Sequence, residues 1–230
     1  MGYCRAPMLH INDLTYRIEG RIILDQATAG IPAGHKVGLV GRNGSGKTTL
    51  LRLIAGELHP DDGNINVPRS TRIGSVAQEA PGGPESLIEF VLAADQERAR
   101  LLGEAETAHD PHRIAEIHER LADIGAHAAP SRAARILAGL GFDEAGQQRP
   151  CSEYSGGWRM RVALAAMLFT EPDLLLLDEP TNYLDLEGTL WLEDYLRDYS
   201  HTVLIVSHDN SSPRVAGVLA GRNLPVLSAR

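Results

Sequence analysis

Aromatic residues and cysteines are scarce in this sequence: Phe, Trp and Tyr together make up 5% of 230 residues, and there are 2 cysteines. A core must therefore be built from Leu, Val, Ile and Ala, which a hydrophobic content of 43% allows. Cys4 and Cys151 are far apart and share no metal or redox spacing, so they read as free thiols in a reducing compartment. No uninterrupted apolar stretch reaches the roughly 18 residues of a membrane span. The opening MGYCRAPMLHIND holds no run of signal-peptide length, so a cytoplasmic chain without direct membrane insertion is expected. A basic surplus is also missing. The formal net charge of −8 argues against nucleic-acid binding by bulk charge, while leaving open a local basic patch or a shape-driven contact with a large ribonucleoprotein.

What is present alternates between strand and helix patterns. Residues 8–40 read as short strands, ending in the apolar run Val37, Leu39, Val40. A helix is expected from the glycine-rich segment through Leu50, Leu51 and Ile54 to Gly56, followed by strands near 65–67 and 73–76. Pro81-Gly-Gly-Pro84 is a break. Ser86 and Glu89 form a capping box that opens a helical stretch, and Ile114, Ile117, Leu121 and Ile124 recur at helical spacing. Residues 131–140 read as a further helix. Residues 85–141 thus form a helical insert in an α/β chain. Acidic residues outnumber Arg between 95 and 123, so the insert is no obvious phosphate-binding surface. The α/β pattern resumes with a helix near 156–169, a buried strand at 174–177, a helix near 186–197 and an apolar strand at 203–206.

Two segments carry chemistry. Gly41-Arg-Asn43-Gly44-Ser45-Gly46-Lys47-Thr48-Thr49 fits G-x-x-x-x-G-K-[ST] between an apolar strand and a periodic helix. Glycines let successive amides curl around phosphate oxygens, and a helix N-terminus adds partial positive charge. Lys47 supplies a cation to the β- and γ-phosphates, and Thr48 offers a hydroxyl oxygen to Mg²⁺. The fold class that follows is α/β, a P-loop NTPase with an inserted helical subdomain, taking ATP and Mg²⁺. The second segment, Leu174–Leu177 followed by Asp178 and Glu179, reads as a parallel strand buried on both faces and tipped with two carboxylates. There Asp178 would serve the Mg²⁺ shell and Glu179 would take a proton from the attacking water.

Four further segments, in their order along the chain, resemble those of the ABC ATPases. Ser155-Gly156-Gly157 looks like the core of the signature motif, with Tyr154 where Leu is usual. Gln78 is similar to the Q-loop glutamine, which would put it beside Thr48 and Asp178 around Mg²⁺. Asp185, in Asn-Tyr-Leu-Asp, resembles the D-loop, and His208, in Val-Ser-His-Asp, the switch histidine. The resemblance covers about residues 8–208 as one nucleotide-binding domain, with 209–230 an atypical tail. It implies that the signature faces ATP held by a second cassette, in trans or as a homodimer. Trp158-Arg-Met-Arg161 and Glu-Pro-Thr-Asn-Tyr-Leu-Asp resemble the ABC-F subfamily, soluble translation-factor-type ATPases, which implies ATP hydrolysis on pairing and a ribosomal partner.

The sequence departs from the family at three places. Ile18 stands where an aromatic usually stacks on adenine. After Asp209 the family pattern stops, so a truncated or frame-altered relative is expected. The residues before Met8 look like an upstream extension. A strand at 203–206 without its usual neighbours would leave an open edge. Two other readings stand beside the ABC-F one: the ATPase subunit of a membrane transporter, and an ATP-binding module deficient in hydrolysis.

Overall fold

The computed structural model describes residues 7–76, 81–207 and 227–228. The chain divides into two compact units, residues 1–76, 171–182 and 192–230 in the first, and 77–170 and 183–191 in the second.

The first unit holds two sheets. Strands β1 (Pro7–Ile18) and β2 (Arg21–Pro32) form an antiparallel hairpin, and β4 (Asp62–Asn66) pairs with the other side of β1. Glu19 and Gly20 close the hairpin with φ of 50° and 81°, the left-handed pair that a two-residue hairpin loop uses. The short strands expected over residues 8–40 are instead two strands of 12 residues and the separate β3 (Lys36–Val40). Asp13 and Gln26, both at φ 45°, accompany shifts of register that break the alternation of side chains, so each long strand reads as fragments.

The second sheet is parallel, in the order β5 (Ile73–Ser75), β6 (Leu174–Asp178), β7 (Thr202–Ser207), β3, β8 (Leu227–Ser228). The open edge expected at residues 203–206 does not occur. β7 is the central strand, paired in register with β6 on one side and β3 on the other. Helix α1 (Lys47–Ile54) follows β3. Leu9, Ile11, Leu14 and Ile31 of the hairpin share one core with Leu50, Leu51, Leu53 and Ile54 of α1 and with Leu174, Leu176, Leu204 and Val206 of the parallel sheet. Burying each of these side chains contributes roughly 1.5–3 kcal/mol.

The second unit is helical: α2 (Leu87–Ala93), α3 (Gln96–Thr107), α4 (Pro111–Asp123), α5 (Ala129–Gly139), α6 (Glu144–Gln147) and α7 (Gly156–Phe169). The capping box is formed, with Ser86 accepting from the Glu89 amide and the Glu89 carboxylate accepting from the Ser86 amide. Asp95 starts a new helix by accepting from the Arg98 amide, a break that apolar periodicity alone does not signal. Helices α3 and α4 close on Leu101, Ile117, Leu121 and Ala126. Arg113 bridges them to Glu104 at 2.6 Å, and Arg120 to Glu97 at 2.7 Å. Helices α2, α5 and α7 lie against one another. A last helix, α8 (Leu186–Asp198), precedes β7. Among the described residues no helix is long and apolar enough to cross a membrane.

Candidate functional site

The loop between β3 and α1 is shaped by its glycines. Gly44 and Gly46 have φ of 76° and 88°, in the left-handed region. A Cβ at Gly46 would lie 2.7 Å from Ile23 Cγ2 and 3.5 Å from Leu24 Cδ2, so β2 rests on the loop and only glycine fits between them. Gly41 is buried at the end of β3, Asn43 and Gly44 are exposed on the turn, and Lys47, Thr48 and Thr49 form the first turn of α1. Lys47 is 6% exposed. Its ammonium donates to the carbonyls of Gly41 at 2.6 Å and Arg42 at 3.0 Å, which wraps the loop around one cation.

Nothing acidic lies in the first turn of α1 and no side chain caps it. The leading amides of the helix are therefore left to an anion. The Ser45 hydroxyl oxygen is buried without a hydrogen-bond partner, which also points to a ligand's polar atoms at this loop.

The buried residues Leu174–Leu177 carry β6 to the same place. Thr48 Oγ1 donates to Asp178 Oδ2 at 2.6 Å, joining the start of α1 to the end of β6. Glu179 then turns the chain with φ 47°, its amide bonded to the Val206 carbonyl at 3.1 Å. The Asn182 side-chain amide donates to Glu179 Oε2 at 2.9 Å and so fixes the orientation of that carboxylate.

The residues suit a polyphosphate with a hard divalent cation. The hydroxyl and carboxylate oxygens of Thr48 and Asp178 converge beside the loop. Among the described residues no group of three or more His, Cys, Asp or Glu could hold a metal by itself. A cation there would need phosphate oxygens and water as well, the habit of Mg²⁺.

Ser155, Gly156, Gly157 and Asp185 belong to the second unit. Ser155 is the N-cap of α7, its side chain makes no capping bond, and Gly156 and Gly157 are exposed with open space around them. Asp185 accepts from the Gly188 amide at 2.8 Å and from Arg161 at 2.9 Å. The Gly188 amide first, and then Arg161, hold its carboxyl below the usual range.

Arg161 is a residue whose role the sequence pattern did not disclose. It is buried, donates to the carbonyls of Tyr183 at 2.6 Å and Leu140 at 3.3 Å, and its guanidinium lies 4.2 Å from the centre of the Trp158 ring. A charged residue directly before the apolar run Val-Ala-Leu-Ala-Ala was the available signal. Gln78 and His208 lie outside the described residues.

The chain is similar to known proteins in sequence and in fold. Residues 24–182 match the ABC transporter family. The chain is 46% identical over 205 residues to a probable ATP-binding protein, YheS, of Escherichia coli, covering 88% of this chain and 32% of that protein. It is 45% identical over 222 residues to human ATP-binding cassette sub-family F member 3, covering 91% of this chain and 30% of that one. It thus spans about a third of the length of these curated relatives. Among solved structures, the ATP-binding subunit of an ABC transporter superposes with a TM-score of 0.62 at 19% identity, over 88% of this chain and 80% of that one. A dimeric ATP-binding cassette in a post-hydrolysis state with ADP and phosphate gives 0.61 at 23%, over 88% of each chain. These two likenesses establish the α/β fold. With the family match spanning the phosphate loop and the acidic strand end, the chain belongs to the ABC transporter family, as a cassette similar to those of sub-family F proteins.

Proposed function

We propose that this chain binds Mg-ATP at residues 41–49 and hydrolyses it when paired with a second cassette. The observation that carries the reading is the 2.6 Å contact of Thr48 with Asp178 at the head of the helix that Lys47 begins. It puts a cation, a run of helix-start amides and two metal-seeking oxygens within one small region.

On this reading the amides of Gly44–Thr49 and the Lys47 ammonium hold the β- and γ-phosphates. Thr48, with Asp178 acting through water and Gln78 by resemblance, would hold Mg²⁺, which supplies charge neutralisation across phosphate oxygens. Glu179, oriented by Asn182, takes a proton from the water that attacks the γ-phosphorus while the bond to the β-phosphate oxygen breaks. His208 would contact the γ-phosphate. Ser155, Gly156 and Gly157 present a hydroxyl and the amides of a helix start to the triphosphate of the other cassette.

Titration of the full chain with ATP, with and without Mg²⁺, tests the core of this. Lys47→Ala should weaken binding by about 10–100-fold through loss of a charge-assisted contact. Undiminished affinity would end the proposal.

The ribosomal role rests on similarity to sub-family F proteins and on the ABC-F-like residues Trp158 and Asn182–Asp185. Its test is co-sedimentation of the chain with ribosomes, which should require ATP and be lost in Lys47→Ala. Pelleting indifferent to nucleotide counts against it.

A further inference from the structure

Asn43 and Gly44 form the one Asn-Gly pair in the 230-residue sequence, and the pair lies in the phosphate loop. Both residues are exposed. The other described asparagines are tied down. Asn12 and Asn66 donate to Asn64 Oδ1 at 2.9 Å and 2.8 Å, and Asn182 donates to Glu179 at 2.9 Å. Among the described residues nothing bonds the Asn43 carboxamide or the Gly44 amide. A Cβ added to Gly44 would meet nothing within 4 Å, so the residue stands in open space. The turn that carries the pair is closed by the Ser45 amide donating to the Arg42 carbonyl at 3.2 Å, the long limit of an N–H···O bond.

We propose that Asn43 is a site of spontaneous modification, converting to isoaspartate while the phosphate loop is empty and guarded from it while a triphosphate fills the loop. The Gly44 nitrogen attacks Asn43 Cγ. The Cγ–Nδ2 bond breaks, and ammonia leaves with the proton that the Gly44 nitrogen gives up. Water then opens the resulting cyclic imide. Opening at Cγ gives aspartate. Opening at the main-chain carbonyl gives isoaspartate, in which the backbone runs through the former side chain and gains a methylene. Glycine favours the closure because it has no side chain to shield the nitrogen and turns freely through the backbone angles required. The guarding rests on the nucleotide reading above: phosphate oxygens accept from the amides of Gly44–Thr49, which engages the attacking nitrogen and holds the turn. The product harms the same site. Its added methylene displaces the amides that follow, and its new carboxylate repels the phosphates that those amides would hold.

The test is incubation of the full chain at neutral pH without nucleotide and, in parallel, with Mg²⁺ and the β,γ-imido analogue of ATP at about ten times its Kd, where about a tenth of the loops stay empty. Peptide mapping by mass spectrometry, with fragmentation that separates isoaspartate from aspartate, follows each asparagine. Mg-ATP binding capacity is titrated on the same samples. In the empty chain Asn43 should convert ahead of Asn12, Asn64, Asn66 and Asn182, and capacity should fall in step with isoaspartate. The analogue should slow the conversion about tenfold. Asn43→Ser has no carboxamide to lose and should keep its own starting capacity throughout. Conversion at Asn43 no faster than at the other asparagines overturns the inference. So does conversion at an equal rate in chains that hold the analogue by direct measurement. A fresh chain that binds no Mg-ATP defeats the nucleotide reading and the guarding with it, while the rate at Asn43 against the other asparagines still decides the modification.

Discussion

Glu179 shows how much a single residue is asked to do. It follows Asp178, adopts φ 47°, where side chains other than glycine are uncommon, and receives a hydrogen bond from Asn182. If it is the base, Glu179→Gln keeps the shape and the Asn182 partner but cannot take a proton. Steady-state hydrolysis should fall by about 10²–10⁴-fold, while Mg-ATP affinity in the same preparation stays within a few-fold. Equal losses in both would make Glu179 a binding residue instead. Gly46 carries a different constraint. Gly46→Ala forces a Cβ into the left-handed region at about 1–2 kcal/mol and pushes it against Ile23. The urea midpoint should drop and the triphosphate should bind less tightly, since the loop can no longer close on β2.

At the scale of elements, local signals were legible and long-range ones were not. The strand–loop–helix around residues 41–49 and the Ser86–Glu89 box are written in neighbouring residues, and both are formed. Ser86→Ala should accordingly cost about 1 kcal/mol in an equilibrium unfolding curve. The lengths of β1 and β2 were hidden because their irregularities displace the alternation that reveals a strand. The position of β7 was hidden because strand order is decided by partners distant in sequence. The same blindness covered Arg161, whose partners Leu140, Tyr183 and Asp185 lie in other segments.

Tyr199, just after α8, is another such tie. Its buried hydroxyl donates to the Pro172 carbonyl at 2.7 Å ahead of β6. Burial, chiefly, pushes the phenol well above its usual value. The native state then holds a proton that the unfolded chain releases near pH 10, so this contribution to stability is intact below about pH 10 and is lost as pH rises beyond it. Thermal midpoints should fall on that alkaline side. Tyr199→Phe should flatten the decline while costing about 1 kcal/mol at neutral pH.

At the scale of the whole molecule, the chain divides its chemistry between its two units. Gly41–Thr49, Asp178 and Glu179 belong to the first unit, and Ser155–Gly157 and Asp185 to the second. On the proposed reading each copy offers one triphosphate holder and one helix-start anion site, and the second serves a different copy's nucleotide. Hydrolysis by this chain alone should then rise faster than linearly with protein concentration, as mass action on a dimer demands. A sharper consequence concerns mixtures of defective chains. Lys47→Ala removes the holder and leaves Ser155–Gly157 untouched. Ser155→Asp puts another residue type suited to the N-cap position at the start of α7 but sets a carboxylate against the incoming phosphate, and leaves the holder untouched. Each variant by itself should be inactive. Mixed, they pair an intact holder from one chain with an intact signature from the other, and a fraction of the parent turnover should return, measured as phosphate release against each variant at the same total concentration. A mixture no more active than its components would mean that the two sets of residues do not serve each other across a pair of chains.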